Sequence, residues 1–332
     1  MRLWLLGFLF CAVAFGAKTL DLYFIDVEGG QATLIVSPSG ESMLVDAGWP
    51  GFNGRDSSRI ADAAKQAGLK QIDYFVATHY HLDHVGGVPE VAARIPIVHF
   101  VDHGPSVESG KNPDELFGAY KSARDKGKHI QVKAGDRIPI KGIQAVVVSA
   151  AGDRLPKAIN GGGAANPLCA SKSEKALDKS ENARSVGVLI TLGKFRFLNL
   201  GDLTWNKENE LVCPNNLLGS VDLYLTTHHG MDASGPETVV HGIRPRVAVM
   251  NNGATKGGSP GAFQVLKASP GLQDVWQVHY SLPAGKEFNG DEKLIANVDE
   301  NCKGYGLKVS ANGKAEFTVT NSRNQFSKTY RP

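Results

Sequence analysis

Runs of apolar residues separated by glycine-containing turns recur along the first part of the chain. Residues 20–27, 32–37 and 42–46 are rich in β-branched and aromatic side chains, which predicts a series of strands. Residues 72–78 form a continuous apolar run, which is typical of a buried strand. Further strands are expected near residues 138–149. The pattern therefore predicts a sheet in this half.

Helical periodicity appears between these strands. Residues 57–67 carry apolar side chains at i, i+3, i+4 and i+7, with Asp56 or Ser57 as the N-cap and Gly68 as the stop. Residues 113–126 begin with a first-turn proline and two acidic side chains, which suit the positive end of the helix dipole. Both segments are predicted helices, and the first would cover the sheet beside it.

The second half repeats the alternation of strands and helices. Residues 186–192, 195–200 and 221–226 have the apolar content of strands. Residues 206–212 and 260–268 have the spacing of helices. Together the two halves predict an α/β protein.

Two segments differ from this alternation. Residues 152–182 are rich in glycine, alanine, asparagine, lysine and serine, which predicts a long surface loop between the halves. Near the end, Asn312-Gly313 separates the runs 305–311 and 315–320, and Asn-Gly between alternating runs is the strongest short signal for a β-hairpin.

Four side chains that can bind a metal are concentrated directly after the predicted strand 72–78. They are His79, His81, Asp83 and His84. Loops at the carboxyl ends of strands form the ligand crevice of layered α/β proteins. On such a loop these groups would stay unpaired unless a cation gathered them, so the spacing predicts a metal site. Three unconnected surface histidines and a solvated aspartate are the alternative.

This His-x-His-x-Asp-His pattern, followed by Gly86-Gly87, resembles the signature of the metallo-β-lactamase-fold hydrolase superfamily. Three other stretches resemble that family's motifs in the same order, and each closes a predicted strand: Asp46-Ala47-Gly48, Gly201-Asp202 and Thr227-His228-His229-Gly230. The resemblance implies an αββα sandwich built from two similar β/α halves. We therefore expect residues 18–332 to form a single domain of this fold.

Two further stretches are typical of a narrower group within that superfamily. Residues 24–32 and 181–187 are similar to the soluble hydrolase domain of bacterial competence (DNA-uptake) channel proteins and to phosphorylcholine esterases. The similarity extends from about residue 20 to residues 318–323, which is nearly all of the expected mature chain.

The resemblance also implies two metal ions that share a bridging carboxylate. The implied ligands are His79 and His81 for the first ion, Asp83, His84 and His229 for the second, and Asp202 as the bridge. Zinc prefers imidazole and carboxylate ligands, at ~2.0–2.2 Å, so one or two zinc ions are the expected cofactor. Neighbouring side chains of a regular strand point to opposite faces, so Asp83 and His84 are expected to share an ion from an irregular loop.

The chain departs from the family pattern at the first ion. Many family members supply a third histidine there, but none of the three histidines between His84 and Asp202 lies in a matching position. The matching stretch offers Asn182 or Ser185 instead. The first site is therefore expected to bind weakly, to take water in place of a protein ligand, or to prefer manganese, which suits oxygen donors.

Hydrolysis is the expected reaction, because a metal ion lowers the pKa of a coordinated water towards ~7. The catalytic candidates are Asp83 and His228. His228 would bind the anionic group of the substrate or protonate the leaving group; alternatively it would orient a ligand through a hydrogen bond. Asp26 and Asp46 lie at strand ends and are expected to support ligands rather than to bind metal.

The amino terminus predicts export. The first 17 residues combine Arg2, an apolar segment and small residues near 14–17, which predicts a signal peptide, with an uncleaved anchor as the alternative. We expect a secreted or periplasmic protein without stable membrane insertion after cleavage. The mature chain keeps Cys169, Cys213 and Cys302, so at most one intramolecular disulfide forms and one thiol is left over.

Three functions are consistent with these features. A hydrolase of phosphoesters or phosphodiesters leads, because the proteins that the chain resembles act on phosphate esters or are thought to act on DNA. A β-lactam or lactone hydrolase is second, although zinc β-lactamases commonly carry Cys or Ser where this chain has Asp202. A metal-binding module without turnover is third. Nucleic acid stays an alternative partner, but the net charge of only +3 does not support it.

Overall fold

The computed structural model describes residues 19–299 and 302–332. The predicted signal peptide, residues 1–17, lies outside the described residues. Within the two described ranges, no helix has the length and apolar content needed to cross a bilayer.

The described part of the chain forms two nine-stranded sheets. The first has the order β18-β17-β16-β1-β2-β3-β4-β5-β6, and the second has the order β15-β14-β13-β12-β11-β10-β8-β7 with β9 paired to β8. The strands of the first sheet are β1 (Leu20–Phe24), β2 (Thr33–Val36), β3 (Ser42–Val45), β4 (Ile72–Val76), β5 (Ile97–Asp102), β6 (Lys128–Gln131), β16 (Leu307–Ala311), β17 (Phe317–Asn321) and β18 (Ser327–Tyr330). Those of the second are β7 (Arg137–Ile138), β8 (Gln144–Ala150), β9 (Asp153–Arg154), β10 (Gly187–Leu192), β11 (Phe195–Asn199), β12 (Leu223–Leu225), β13 (Val247–Met250), β14 (Asp274–His279) and β15 (Ile295–Asn297).

Helices cover the outer face of each sheet. They are α1 (Arg55–Gln66), α2 (Leu82–Val85), α3 (Val88–Arg94), α4 (Lys111–Arg124), α5 (Trp205–Val212), α6 (Glu237–Ile243) and α7 (Pro260–Ala268). Side chains of α1, α3 and α4 form an apolar cluster with the first sheet, and those of α5, α6 and α7 form another with the second. Between the sheets lies the central core, where Phe24 of β1 packs edge-to-face on Phe197 of β11 with ring centroids 5.8 Å apart. The layers are therefore α, β, β and α, and the predicted αββα sandwich is confirmed.

Parallel strands bring the sequence motifs to one edge of the sandwich. In the first sheet β3, β4, β5 and β6 run parallel, and in the second β11 to β15 do so. The loops that follow β3, β4, β11, β12 and β13 carry the family motifs and their surroundings. Because the carboxyl ends of parallel strands lie side by side, these loops meet in space.

Most predicted elements are confirmed, while one helix cap is wrong. The hairpin forms as expected, with Ala311 opposite Phe317. Helix α1 begins at Arg55 after Gly54, and Asp56, expected as a cap, instead accepts a hydrogen bond from the Trp49 N–H at 2.8 Å. Asp56 therefore stabilises the loop before α1 and does not cap the helix.

Residues 152–182 contain few regular elements, namely β9, a 3-10 turn at Pro167–Ser171 and the start of another at Glu181–Arg184. The segment is tied to α5 and its end. Cys169 forms a disulfide with Cys213, and the Ser173 carbonyl accepts a hydrogen bond from the Trp205 indole at 2.9 Å. Cys302 is the free thiol. The assignment of residues 18–332 to one domain stays a prediction.

Candidate metal centre

The motif at residues 79–84 leaves β4 and enters the four-residue helix α2. We expected an irregular loop, but one helical turn presents Asp83 and His84 together, with His84 Nε2 3.3 Å from Asp83 Oδ2. A Cβ at Gly87 would lie 2.1 Å from the Ala47 carbonyl oxygen, so only glycine lets this turn pack against the loop after β3. The glycine after the motif is therefore a steric requirement.

Four side chains that could bind a metal, two from helix α2 and one from each of two further loops, converge at the edge of the sandwich. They are Asp83, His84, Asp202 and His229, hereafter the metal cluster. All four are buried, and their candidate ligand atoms lie within 4.8 Å of one another. Asp202 Oδ2 lies 3.3 Å from His84 Nε2 and 3.4 Å from His229 Nε2. The predicted ligands of the second ion and the predicted bridge are thus brought together.

Several atoms of the metal cluster are buried without hydrogen bonds in the described residues. They are His84 Nε2, His229 Nε2 and Asp202 Oδ1. Buried polar atoms in native proteins are nearly always paired, so each such atom needs an explanation. The two imidazole nitrogens lie within 3.4 Å of carboxylate oxygens of the same cluster, and imidazole nitrogens with carboxylate oxygens are the donor set that zinc prefers. The residues present therefore fit a divalent cation.

Asp46 fixes the orientation of His84. One Asp46 oxygen accepts from the Thr78 backbone N–H at 2.8 Å, and the other accepts from the Thr78 hydroxyl at 2.7 Å and lies 2.8 Å from His84 Nδ1. Because Nδ1 is engaged by a carboxylate, Nε2 is left to face the cluster. His229 has a similar arrangement, since its Nδ1 lies 3.3 Å from the Asn251 carbonyl oxygen.

The two histidines predicted for the first ion differ in their surroundings. His79 is fully buried, its ring centroid lies 4.1 Å from that of His84, and its Nε2 has no hydrogen-bond partner among the described residues. His81 is partly exposed, and its Nε2 lies 3.1 Å from Glu108 Oε1. His79 therefore lies beside the metal cluster with a free nitrogen, while the ring nitrogen of His81 is engaged. The metal-binding roles of all six residues stay predictions.

Of the two candidates for the missing histidine, only one keeps an unengaged oxygen. Ser185 Oγ accepts a hydrogen bond from the Asp202 backbone N–H at 3.3 Å. Asn182 Oδ1 is buried without a hydrogen-bond partner in the part of the chain that the structure describes. The amide oxygen of Asn182 is therefore the better remaining donor.

His228 lies at the rim of the metal cluster. Its Nε2 is 3.4 Å from Asp202 Oδ2, and its Nδ1 is 3.3 Å from Ser234 Oγ. His228 and His229 both have left-handed backbone, each with φ 55°, which is strained for residues other than glycine. A Cβ at Gly257 would lie 2.3 Å from the His229 carbonyl oxygen, so the close approach of the next loop holds this turn. Strain of this kind is typical of functional sites.

The metal cluster keeps its carboxyl groups ionised. Burial alone would raise the pKa of Asp202, but the neighbouring His84 and His229 outweigh burial and hold that pKa well below its ordinary value. Burial would lower the pKa of His84, yet Asp202 and Asp83 raise it well above the ordinary value. Ionised carboxylates are the form that binds a cation, whereas His84 must lose its proton to do so, and metal binding is therefore expected to release protons.

Lys256 is a charged neighbour that the sequence analysis missed. Its Nζ contacts Asp83 Oδ2 and lies 5.0 Å from the centre of the Trp49 ring. The residue lies on the loop after β13, which carries Gly253, Gly257 and Gly258. A glycine-rich loop directly after an apolar strand is a general sign of a ligand site, and that sign was available in the sequence.

A second buried group of ionisable side chains lies nearby, hereafter the Asp26 cluster. It consists of Asp26, Arg59, His279 and Cys302. Asp26 Oδ1 lies 2.7 Å from His279 Nε2, and Asp26 Oδ2 accepts from Arg59 at 3.0 Å and from the Cys302 thiol at 2.7 Å. Asp26 lies outside the metal cluster and joins the end of β1 to the end of β14, and with His279 and Cys302 it forms a second group whose atoms could hold a metal ion. That Asp26 supports ligands and does not bind metal stays a prediction.

Comparisons with known proteins agree with the fold and the motifs. Residues 25–158 match the family model described as Metallo-beta-lactamase superfamily. The chain is 28% identical over 189 residues to ComE operon protein 3 of Bacillus subtilis, which covers 56% of this chain and 20% of that protein. It is 24% identical over 235 residues to Recombination protein 2 of Haemophilus influenzae, which covers 69% of this chain and 24% of that protein. The chain thus spans about a fifth to a quarter of the curated relatives it matches.

Solved structures with a similar fold include enzymes of different kinds. A diphosphatase of the PhnP family has a TM-score of 0.40 at 11% identity, covering 88% of this chain and 98% of that chain. A subclass B3 metallo-β-lactamase from a soil metagenome library has a TM-score of 0.38 at 13% identity, covering 77% and 85%. Residues 25–158 thus match the metallo-β-lactamase superfamily model, the order of the motifs and the two-sheet sandwich agree with that match, and the chain is similar to two competence proteins.

Proposed function

We propose that this chain is a metal-dependent hydrolase that cleaves phosphoester or phosphodiester bonds. The observation that carries the proposal is the metal cluster itself, in which buried imidazole and carboxylate atoms from helix α2 and two further loops converge and three of them have no hydrogen bond among the described residues. The match of residues 25–158 to the metallo-β-lactamase superfamily model supports the same reaction class. A bound divalent ion supplies Lewis-acid activation of water and of the attacked phosphoryl group.

The side chains around the ion have distinct tasks in this proposal. Asp83, His84, Asp202 and His229 hold the cation, with His79 beside them. Asp46 and the Asn251 carbonyl fix the two histidine rings, so the ligands are held in place before substrate arrives.

His228 is the proposed proton donor to the leaving group. It lies at the rim, in contact with Asp202 and only partly buried, so a leaving oxygen can reach its ring. Burial lowers the pKa of His228, although Asp202 acts in the opposite direction. The neutral ring must therefore take up a proton before it can donate one, so leaving-group protonation by His228 is expected to be favoured on the acidic side of neutral pH.

Anionic substrates are favoured by the charge beside the cluster. Lys256 places its ammonium group at the Asp83 side, on the outside of the ligands. If Asp83 held a cation, its oxygen would no longer be available to Lys256 alone, and the ammonium group could then contact a phosphate oxygen. A lysine acts as a point charge for phosphate in this way.

Export is part of the proposal. The Cys169–Cys213 disulfide is typical of oxidising compartments, which supports a secreted or periplasmic location. Sequencing the amino terminus of the protein recovered from outside the cytoplasm tests this point, with cleavage near residue 17 expected.

Turnover and metal content test the proposed reaction together. The purified protein, loaded with zinc or manganese, is assayed with bis-p-nitrophenyl phosphate and with nitrocefin. We expect diester cleavage that Asp202→Ala lowers by more than the ~10–100-fold typical of losing an outer partner of a ligand. Asp125→Ala, which changes a 58% exposed aspartate side chain, is the matched control and should keep full activity. Nitrocefin turnover without diester cleavage would favour the β-lactam alternative.

A second candidate function is a metal-binding module without turnover. The engagement of His81 by Glu108 and the absence of a matching third histidine favour it, because both weaken the first ion site. Stoichiometric metal with neither diester nor nitrocefin cleavage is the result that selects this candidate.

A further inference from the structure

The metal cluster takes its side chains from both halves of the sandwich. Asp83 and His84 follow β4 of the first sheet, while Asp202 and His229 follow strands of the second. His229 Nε2 lies 3.2 Å from Asp83 Oδ2 across the boundary between the halves. The position of one half relative to the other therefore decides whether these side chains can reach the same cation.

Gln31 is a buried residue of the first half that is held against Asp83. Its backbone N–H donates to the Asp83 carbonyl oxygen at 3.0 Å, and its own carbonyl oxygen accepts from the Gly48 N–H at 2.9 Å. A Cβ at Gly30 would lie 2.6 Å from the same Asp83 oxygen, so the loop before Gln31 packs closely on helix α2. Gln31 therefore has a fixed position relative to Asp83.

Asn251 contacts His229 in the second half. It follows β13, and both its carbonyl oxygen and its side-chain Nδ2 lie close to His229 Nδ1, at 3.3 and 3.2 Å. Asn251 and His229 are both buried, so water competes little for these contacts. Asn251 thus fixes the imidazole ring through the nitrogen opposite the candidate ligand atom Nε2.

One hydrogen bond joins Gln31 and Asn251 across the boundary between the halves. Asn251 Nδ2 donates to Gln31 Oε1 at 2.8 Å, over a sequence separation of 220 positions. We call this contact the amide bridge. A continuous path of contacts runs from the backbone of Asp83, through both amides, to the ring of His229.

The amide bridge is unfavourable as a means of packing. Gln31 Nε2 and Asn251 Oδ1 are both buried without a hydrogen-bond partner among the described residues. A buried polar atom that lacks a partner costs free energy, and an apolar side chain of the same size would avoid that cost. Packing alone therefore does not account for two amides at this position. A role in orienting the side chains of the metal cluster does account for them.

We propose that Gln31 is a positioning residue of the metal centre, and that the amide bridge sets the separation of Asp83 and His229. The inference rests on the proposed function, because it assigns a further residue to the same centre. Partners of a metal-binding histidine orient its ring, and their loss typically lowers metal affinity by ~10–100-fold. Gln31 acts through Asn251, so we expect its contribution at the lower end of that range.

Zinc affinity and unfolding, measured separately, test the proposal without turnover. The variant Gln31→Met keeps the approximate length of the side chain and loses the amide. Competition with a chromophoric chelator should give a zinc dissociation constant about tenfold higher than that of the unaltered chain. In the cobalt-loaded protein the same variant should shift the visible absorption bands, because a changed separation of the ligands alters the coordination geometry.

Gln277→Met is the matched control. Gln277 Nε2 donates to Asn289 Oδ1 at 2.9 Å, so this variant also removes a buried hydrogen bond between a glutamine and an asparagine, but outside the loops that carry the metal cluster. Both variants should lower the midpoint of thermal unfolding in the presence of a chelator. Only Gln31→Met should weaken zinc binding, since a loss of packing alone would affect both chains alike.

A double variant checks that the two amides act as one unit. Asn251→Leu alone should weaken zinc binding more than Gln31→Met does, because it also removes the Nδ2 contact with His229. Adding Gln31→Met to Asn251→Leu should change the affinity by less than about twofold, whereas independent sites would add a further loss of about tenfold. If Gln31→Met does not fold, Gln31→Asn, which shortens the side chain by one methylene, replaces it with the same expected results.

Unchanged zinc affinity in Gln31→Met overturns the proposal, and so does an equal loss of affinity in Gln277→Met. Additive losses in the double variant also overturn it, because Gln31 would then act independently of Asn251. An unaltered chain that binds no zinc defeats the proposed function together with this inference. The expected affinities without any diester cleavage defeat only the proposed hydrolase.

Discussion

The metal cluster and the Asp26 cluster contain similar residue types but resolve their buried charge in opposite ways. In the Asp26 cluster, Arg59 supplies a positive charge at 3.0 Å, and Asp26 also receives the Glu28 N–H at 2.8 Å and the Cys302 thiol. In the metal cluster, the ion pairs involve histidines and Lys256 instead of arginine, and three buried side-chain atoms have no hydrogen bond among the described residues, against one, His279 Nδ1, in the Asp26 cluster. Both groups offer atoms that could hold a metal, and the larger number of unpaired atoms favours the metal cluster.

Cavity volume does not identify which of the two clusters binds a cation. A cleft of about 830 Å³ is lined by Asp26 and Arg59 and reaches residues of β1 and β16, away from the metal cluster. Unpaired buried atoms are a better guide than volume, because an unpaired buried polar atom costs free energy that a ligand recovers. The comparison predicts that a divalent ion stabilises one cluster and is irrelevant to the other.

Removing the carboxylate of the Asp26 cluster should give the largest change in stability. Asp26→Ala leaves His279 and Arg59 without their buried partner, and breaking a buried pair costs roughly 3–5 kcal/mol of unfolding free energy. Guanidinium denaturation in the presence of a chelator and in the presence of zinc should give the same loss. A loss that grows when zinc is added would mean that Asp26 binds the ion, and the distinction between the clusters would fail.

Metal addition should give the next largest effect. At a free zinc concentration 100 times the dissociation constant, binding to the folded state alone stabilises the protein by ~2.7 kcal/mol. His229→Ala should abolish this gain, whereas His279→Ala, a substitution of the same type in the Asp26 cluster, should keep it. Thermal unfolding followed with and without zinc measures both. Equal responses of the two variants would contradict the assignment.

Glu208 is a buried carboxyl group that belongs to neither cluster. Its substitution is expected to change the unfolding free energy less than the substitutions above. It forms no ion pair within the described residues, and its Oε2 accepts from the Gly235 N–H at 2.6 Å. Burial raises the pKa of Glu208 from 4.5 to about 8. Between these pH values the unfolded chain has lost the proton that the folded protein keeps, so stability falls as pH rises, by roughly 1.4 kcal/mol per pH unit.

The variant Glu208→Gln removes this proton uptake. Its unfolding free energy, relative to that of the unaltered chain, should increase by roughly 1.4 kcal/mol between about pH 6 and pH 7. Urea denaturation at the two pH values checks the difference, and the comparison of slopes removes any constant effect of the substitution. Parallel pH dependences would show that Glu208 is ionised in the folded protein and that burial does not control it.

The parts of the centre that follow strand ends could be predicted from the sequence. Asp83, His84, Asp202 and His229 each lie in a motif after an apolar strand, and parallel strands bring such motifs to one edge. The fold class followed from the same alternation of strands and helices. Local patterns predicted the strands, the helices and the metal-binding side chains at residues 79–84, whereas Asp202 and His229 were predicted only through the resemblance to family motifs.

Contacts between distant parts of the chain were not predictable in this way. Lys256 contacts Asp83, which is 173 positions away in sequence, and His279 contacts Asp26, which is 253 positions away. Neither Lys256 nor His279 belongs to a sequence motif. The start of α1 was missed for a local reason. Gly54 adopts left-handed backbone before the helix, which leaves Asp56 free to bind the Trp49 N–H.

The pairing of β1 with β16 has a consequence for how the chain acquires its structure. Leu20 lies opposite Ala311, so the first sheet joins strands from nearly the two ends of the described chain. Contacts of such long sequence separation form slowly, because the entropy of closing a large loop is lost before the contacts stabilise the fold. The amino-terminal half therefore completes its sheet only after the last hairpin has been synthesised.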